Sequence, residues 1–164
     1  MPKQSAVERA ATAAERFGDS VDVVDQAAAA LFGINRTDLR LLGVVTVGGP
    51  QSAGTLAAAV GLSPAATTEA VQRLVARGLL ARDTDPGDRR RAVITVVAGC
   101  AERLDRVYGP IRDSGVALLE RYTEAELGVI ADFLERGREQ QLAEAARIRD
   151  DVAGLRAAVP RPGC

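Results

Sequence analysis

At 164 residues the chain is long enough for one folded domain with a sizeable core, and its formal net charge of −1 gives no overall attraction for nucleic acid. It contains no histidine, and its two cysteines, Cys100 and Cys164, lack the spacing of metal ligands, so neither a zinc site nor a cofactor is expected. Without histidine or a glycine-rich phosphate loop, the sequence predicts a protein that is not an enzyme.

The first fifty residues show helical periodicity and no targeting signal. No apolar segment resembles a signal peptide or could span a bilayer, so a cytoplasmic location is expected. Apolar residues recur at helical spacing from residue 5 to 32, which predicts one long helix or a pair broken at Gly18. A second helix is predicted from Thr37 to Val47, because the segment Gly48–Pro50 stops it.

Two short helices joined by a tight turn are predicted next. Ser52 is a suitable N-cap for a helix over residues 53–60, and Gly61 ends it because glycine adopts the left-handed conformation at no steric cost. Ser63 is a second N-cap, and the helix that it opens buries Val71. In a helix-turn-helix the opposite, exposed face enters the major groove of DNA. That face carries Ala65, Thr68, Glu69, Gln72 and Arg73.

Glu69 is an acidic residue on this predicted DNA-facing surface and has two interpretations. Its carboxylate could accept a hydrogen bond from a cytosine amino group, or it could form an ion pair with Arg73, four residues further along the helix. The sequence favours the ion pair, which would leave the helix with little base specificity.

A hairpin follows the second of these helices. The segments 79–82 and 92–97 are short apolar runs separated by a polar stretch that contains Pro86 and Gly87, which is a hairpin pattern. A hairpin directly after a recognition helix is a wing. Its tip carries Asp88, Arg89, Arg90 and Arg91. At least one of these guanidiniums can reach a narrow minor groove while the others meet phosphates, and the carboxylate can orient a neighbouring guanidinium.

The carboxyl-terminal third is predicted to be helical. A helix runs from about Ala98 to Arg121, with Pro110 expected to bend it. Thr123 and Glu126 form a capping box that opens a final helix, and residues 151–164 are expected to be a tail.

Three segments in this order resemble the MarR (multiple antibiotic resistance regulator) family of winged-helix transcription factors. Residues 56–63 are similar to its helix-turn-helix, residues 73–82 to the passage from recognition helix to wing, and residues 85–90 to its wing signature. The resemblance implies a mainly α fold with a small β-wing in one domain, residues 1–164. It places a winged helix-turn-helix module at 35–98 between helical dimerisation regions at 1–34 and 99–150. Thr67 departs from the β-branched aliphatic residue that is usual at its position.

The resemblance also implies a function. By its resemblance to the family, the chain is expected to be a homodimeric regulator, often a repressor, that binds a pseudo-palindromic double-stranded DNA operator. A small-molecule effector, bound between the first, second and fifth helices, is expected to release it from the operator. It implies that Arg90 enters the minor groove with Asp88 as its partner. Arg73 and Arg77 are expected to meet phosphates or acidic neighbours, and Ser63 to cap its helix and also to touch a phosphate.

Three alternatives stay open at this stage. The winged helix could bind another protein rather than DNA, as Glu69 and the near-neutral charge allow, although three arginines at a wing tip are more than a protein interface needs. The terminal helices could complete a monomeric core instead of a dimer. Cys100 could be a redox sensor, but its predicted place after the wing favours a small buried apolar residue, and the peroxide-sensing branch has its cysteine in the first helix, where this chain has none.

Overall fold

The computed structural model describes residues 2–84, 87 and 92–158, and it separates into two compact units, residues 1–110 and 111–164. The described residues form helices and one two-stranded antiparallel sheet, which confirms the predicted mainly α fold with a small β-wing. The elements in chain order are α1 (Pro2–Phe32), α2 (Arg36–Gly48), α3 (Ala53–Val60), α4 (Pro64–Ala76), β1 (Leu80–Thr84), β2 (Ala92–Val96), α5 (Ala98–Leu119) and α6 (Glu124–Ala158).

Helix α1 is a single helix, so of the two predicted alternatives the unbroken helix is the one that forms and there is no break at Gly18. One interior glycine costs about 1 kcal/mol relative to alanine, which the surrounding alanine-rich sequence can offset. The helix ends at Gly33, whose φ is +65°, in a Schellman motif. The Gly33 N–H donates to the Ala30 carbonyl at 3.1 Å and the Ile34 N–H to the Ala29 carbonyl at 3.0 Å. These bonds turn the chain sharply into α2.

The helix-turn-helix forms as the capping residues predict. The Ser52 hydroxyl accepts the Thr55 N–H at 3.1 Å, and the Ser63 hydroxyl accepts the Ala66 N–H at 3.2 Å. Between them Gly61 has φ +69°, and its N–H donates to the carbonyl of Ala57, the last-turn acceptor of α3. The turn therefore depends on one left-handed residue and two side-chain caps.

The core of the first unit lies where α2, α3 and α4 pack against the wing. Its apolar cluster includes side chains that are almost completely buried: Leu41, Leu42, Leu56, Leu74, Leu80 and Ile94. Leu80 and Ile94 belong to the two wing strands, so the wing contributes to the same core as the helices. Val75, an apolar residue of α4, is 38% exposed and lies outside it.

The wing strands pair from Leu80 opposite Val96 to Thr84 opposite Ala92. Strand β1 begins one residue later than predicted and extends to Thr84. It begins later because the Leu79 N–H donates to the Leu74 carbonyl at 3.0 Å, so that Leu79 belongs to the turn that ends α4. The chain between α2 and α3 joins the sheet at Gln51. Its N–H donates to the Ile94 carbonyl at 3.0 Å and its carbonyl accepts the Ile94 N–H at 2.7 Å.

The second unit contains the end of α5 and all of α6. The predicted capping box forms at the start of α6, where the Thr123 N–H donates to the Glu126 carboxylate at 2.9 Å and the Glu126 N–H to the Thr123 hydroxyl at 3.4 Å. The bond from the Thr123 backbone lowers the pKa of Glu126. Helix α6 continues to Ala158 rather than ending near residue 150. Among the described residues, none of the helices is both long and apolar enough to cross a membrane.

Thr67 provides a test of the core because it is completely buried and carries a hydroxyl. The hydroxyl donates to the Ser63 carbonyl at 3.0 Å, which already accepts the Thr67 N–H at 2.9 Å. Since that carbonyl keeps a partner without the hydroxyl, we expect Thr67→Val to leave the free energy of unfolding unchanged or to raise it by up to about 1 kcal/mol.

Thr67→Ala is the matched control, since it also removes the buried methyl group and should lower the free energy of unfolding by about 1 kcal/mol or more. Urea denaturation followed by circular dichroism measures both. A loss in Thr67→Val as large as that in Thr67→Ala would show that the hydroxyl, not the methyl group, is what the core requires.

Candidate nucleic-acid interface

Helix α4 has one face in the core and one face in solvent. Thr67, Ala70, Val71 and Leu74 are buried. The residues predicted to contact DNA that lie on α4 and its two ends are all exposed: Ser63, Ala65, Thr68, Glu69, Gln72, Arg73 and Arg77. The helix therefore presents the predicted side chains to solvent.

The amino-terminal part of this exposed face is small and polar. Ser63 serves as the N-cap, and the Thr68 hydroxyl donates to the Pro64 carbonyl at 2.9 Å. With its proton used in this way, Thr68 offers an acceptor oxygen and a methyl group outward. Both can be matched in the major groove, by a base amino group or by the thymine methyl group.

Arg73 does not form the predicted ion pair with Glu69. Its Nη2 donates to Oδ1 of Asp38 at 2.7 Å and its Nε to Oδ2 of the same carboxylate at 3.1 Å. The Asp38 side chain is 3% exposed, so this two-point bond satisfies a buried charge, whereas an exposed pair four residues apart on a helix contributes only about 0.5 kcal/mol. The bond to Asp38 raises the pKa of the Arg73 guanidinium.

Arg77 lies at the end of α4, and its side chain reaches towards the end of α1. It is the C-cap of α4, and its Nη1 lies 3.3 Å from where a Cβ would stand on Gly33, the residue that ends α1. The two arginines are four residues apart and therefore lie on the same side of the helix. Both reach towards the corner between α1 and α2, although both side chains are exposed.

Glu69 and Gln72 remain as the larger polar groups on the outer face. In the part of the chain that the structure describes, neither side chain makes a hydrogen bond or an ion pair. Both are available to a partner molecule, and Glu69 gives this surface an acidic group.

The base of the wing is held by a side-chain hydrogen bond as well as by the strand pairing. Across the two strands the Thr95 hydroxyl donates to the Asp83 carboxylate at 2.6 Å. The predicted tip residues Asp88, Arg89, Arg90 and Arg91 lie outside the described residues, so their contacts with DNA stay predictions.

Asp38 is the residue that the sequence analysis missed. It is 2% exposed, and its N–H donates to the Asn35 side chain at 2.8 Å, so it also forms part of the cap of α2. A signal was present: Asp38 precedes Leu41, Leu42 and Val45 at helical spacing, which places a carboxylate on the buried face of α2. Such a carboxylate requires a cation.

A second set of polar contacts joins α1, α2 and α5 within the first unit. Asp22 of α1 pairs with Arg36 at the start of α2, and the Tyr108 hydroxyl of α5 donates to Asp25 at 3.3 Å. Burial, and then the nearby carboxylate, raise the pKa of Tyr108. The Arg103 guanidinium lies over the Phe32 ring at 4.6 Å. Together these contacts attach the carboxyl end of α1 to the module.

The two α-helices, the turn between them and the following hairpin define a winged helix-turn-helix, a class of DNA-binding module. The MarR family model matches residues 32–91. The HTH-type transcriptional regulator YcgE of Bacillus subtilis is 33% identical over 134 residues, covering 82% of this chain and 87% of that protein.

Solved structures share this fold. RV1404 from Mycobacterium tuberculosis has a TM-score of 0.60 and 25% identity over 81% of this chain and 92% of its own. A MarR family transcriptional regulator from Silicibacter pomeroyi has the same TM-score with 21% identity, over 77% and 85% of the two chains. This chain therefore belongs to the MarR family of transcriptional regulators.

Cys100 lies at the start of α5 and is 3% exposed, as expected for a small buried residue. Burial raises the pKa of its thiol, so the reactive thiolate is scarce at neutral pH. In a Cys164→Ser variant, where Cys100 is the remaining cysteine, we expect a thiol reagent at pH 8 to label the native protein roughly 100-fold more slowly than the urea-unfolded protein.

Absorbance of the released thiol reagent follows this reaction, and operator binding before and after peroxide treatment is the companion measurement. Fast labelling of the native protein, or a peroxide-dependent loss of DNA affinity, would revive the redox hypothesis.

Proposed function

We propose that this protein is a homodimeric, sequence-specific transcriptional repressor whose operator binding is relieved by a small-molecule effector. The observation that carries the proposal is the exposed outer face of α4, where Ala65, Thr68 and Gln72 stand clear of the core on a helix that is capped at both ends. In a winged helix-turn-helix this face is the one that reads base edges.

The phosphate contacts are assigned mainly to the wing. Because Asp38 neutralises Arg73 and the exposed Arg77 reaches towards Gly33, the outer face of α4 itself carries little positive charge. The three arginines predicted at the wing tip supply that charge, with Arg90 in the minor groove and its neighbours Arg89 and Arg91 on phosphates.

The dimer is supported by exposed apolar side chains on the terminal helices. Phe17 of α1 is 65% exposed and Phe133 of α6 is 54% exposed. Apolar residues in such numbers need a burial partner, and a second copy provides one. Others of this kind are Val7 and Val21 on α1, Ile111, Val116 and Leu118 on α5, and Leu134, Leu142 and Ile148 on α6. A two-fold dimer would set two recognition helices about one DNA turn apart.

The effector is assigned to the region where α1, α2 and α5 meet. There Asp25 and Tyr108 are half-buried polar groups next to the Asp22–Arg36 ion pair. An effector that altered this region would change the angle between α1 and the winged module, and with it the distance between the two recognition helices.

A second candidate function is protein recognition by the same helix. Glu69 favours it, because this carboxylate makes no ion pair among the described residues and would face the phosphate backbone of DNA. A protein partner with a basic groove would meet it favourably.

The wing provides the test of DNA binding. We expect wild-type protein to bind a fragment of its own promoter region with an affinity that falls as salt rises, and Arg90→Ala to bind roughly 10- to 100-fold more weakly with a smaller salt slope. Fluorescence anisotropy across a salt series measures both quantities.

Arg149→Ala, which removes an exposed arginine of α6, is the matched control for the lost charge. An equal loss in both variants would remove the special role of the wing. If the wild type fails to bind at low salt, the protein-recognition function takes the place of the repressor function.

The dimer is tested by sedimentation. We expect the wild type to sediment as a dimer at micromolar concentration, and Phe133→Glu to move the equilibrium towards monomer, because a buried carboxylate at the interface would lack a partner. Val47→Glu is the control, since Val47 is 91% exposed and lies on α2, which is not one of the terminal helices. A monomeric wild type would contradict the dimer.

A further inference from the structure

The side of α4 that faces α2 is polar at one point. Asp38 lies in the first turn of α2, where its backbone N–H is held by Asn35 and its two carboxylate oxygens are both held by Arg73 of α4. The contact spans 35 positions of sequence and involves a side chain that is 3% exposed. It joins the helix that is proposed to read DNA to the helix that lies behind it.

Arg73 is 47% exposed and Nη1 makes no bond to Asp38, but Nε and Nη2 of Arg73 cannot serve Asp38 and a phosphate at the same time. Its Nε and Nη2 are both committed to the carboxylate, and moving them to DNA would leave a buried charge without a partner. Taking the partner away from the buried Asp38 carboxylate is strongly unfavourable, whereas a phosphate contact in a solvated groove is weakened by salt. The pair with Asp38 should therefore persist when the protein binds DNA.

The first turn of α2 is also attached to α1. Arg36, two residues before Asp38, pairs with Asp22, and Arg77 of α4 lies against Gly33 at the end of α1. One short stretch of backbone thus receives α1 on one side and α4 on the other. Bidentate guanidinium–carboxylate bonds are directional, so they restrict rotation of α4 in a way that apolar packing does not.

We propose that Asp38 is a positioning residue for operator recognition: by holding Arg73 it sets the rotation of α4 about its axis, and Arg73 acts through this bond rather than as a phosphate contact. The inference rests on the proposed function, since it takes α4 as the helix that reads DNA.

Asp38→Asn separates the two roles of Arg73 because they predict opposite results. If Arg73 contacts phosphate, removing the competing carboxylate frees a cation, so binding tightens and the salt dependence steepens. If Asp38 positions α4 through Arg73, the same change loosens the helix, so binding weakens while the number of phosphate contacts and the salt slope stay the same.

The experiment measures operator affinity by fluorescence anisotropy across a salt series, with the protein's own promoter fragment. The variants are wild type, Asp38→Asn, Arg73→Ala, the double variant, and Asp151→Asn, which neutralises an exposed carboxylate paired with Arg147. We expect Asp38→Asn and Arg73→Ala each to weaken binding about 3- to 30-fold with an unchanged salt slope, the double variant to be no weaker than the more affected single, and Asp151→Asn to match wild type.

Tighter binding or a steeper slope in Asp38→Asn would overturn the proposal, as would losses that simply add in the double variant. Arg73→Lys covers the case in which Asp38→Asn does not fold, because lysine keeps the charge but cannot form the two-point bond. A phosphate role predicts near wild-type affinity for Arg73→Lys, and a positioning role predicts a loss close to that of Arg73→Ala.

Amide hydrogen exchange tests the same idea without DNA. In Asp38→Asn, or in Arg73→Lys, the α4 amides should exchange faster than in wild type while those of α6 are unchanged. If wild type binds no promoter DNA, the proposed function fails, but faster exchange in α4 would still support the positioning role. Unchanged exchange would overturn it.

Discussion

A carboxylate withdrawn from water needs a cation beside it, and the placement of the recognition helix depends on how Asp38 meets that need. The core side chains Leu42, Leu56 and Leu74 supply stability, but apolar contact is non-directional and tolerates small rotations of a helix. The bond between Asp38 and Arg73 has a direction and two points of attachment. Stability and orientation therefore come from different residues of the same group of helices.

This division explains how a chain with net charge −1 can carry a DNA-binding module. The arginines of α4 are turned towards the protein, where Arg73 neutralises Asp38 and Arg77 lies by the end of α1. The outer face is left with small and neutral groups, with Glu69 as the exception. On this view α4 contributes shape and hydrogen bonds, and the wing contributes charge. Such a module is attracted to DNA weakly, since the charge of Arg73 is paired with Asp38 and the chain as a whole has a net charge of −1.

The features that the sequence predicted well are those whose cause lies within four residues. Ser52, Ser63 and the Thr123–Glu126 box cap the helices as expected, and Gly61 makes the turn in the left-handed conformation. The partner of Arg73 was predicted wrongly because a rule for neighbours on one helix selects Glu69. The true partner, Asp38, is 35 positions away and becomes a neighbour only after α2 and α4 pack. Contacts of the wing tip stay predictions, since those residues lie outside the part described.

The backbone bridge between Gln51 and Ile94 has a mechanical consequence. An isolated two-stranded hairpin is marginally stable in water, but here the strand that returns from the tip is also clamped to the connection between α2 and α3. The root of the wing must then travel with that connection when α2 moves. A tilt of α2 would carry the wing and the recognition helix through the same arc, so the major-groove and minor-groove contacts would be lost together rather than one after the other. Release from the operator would then be one concerted step for each winged module.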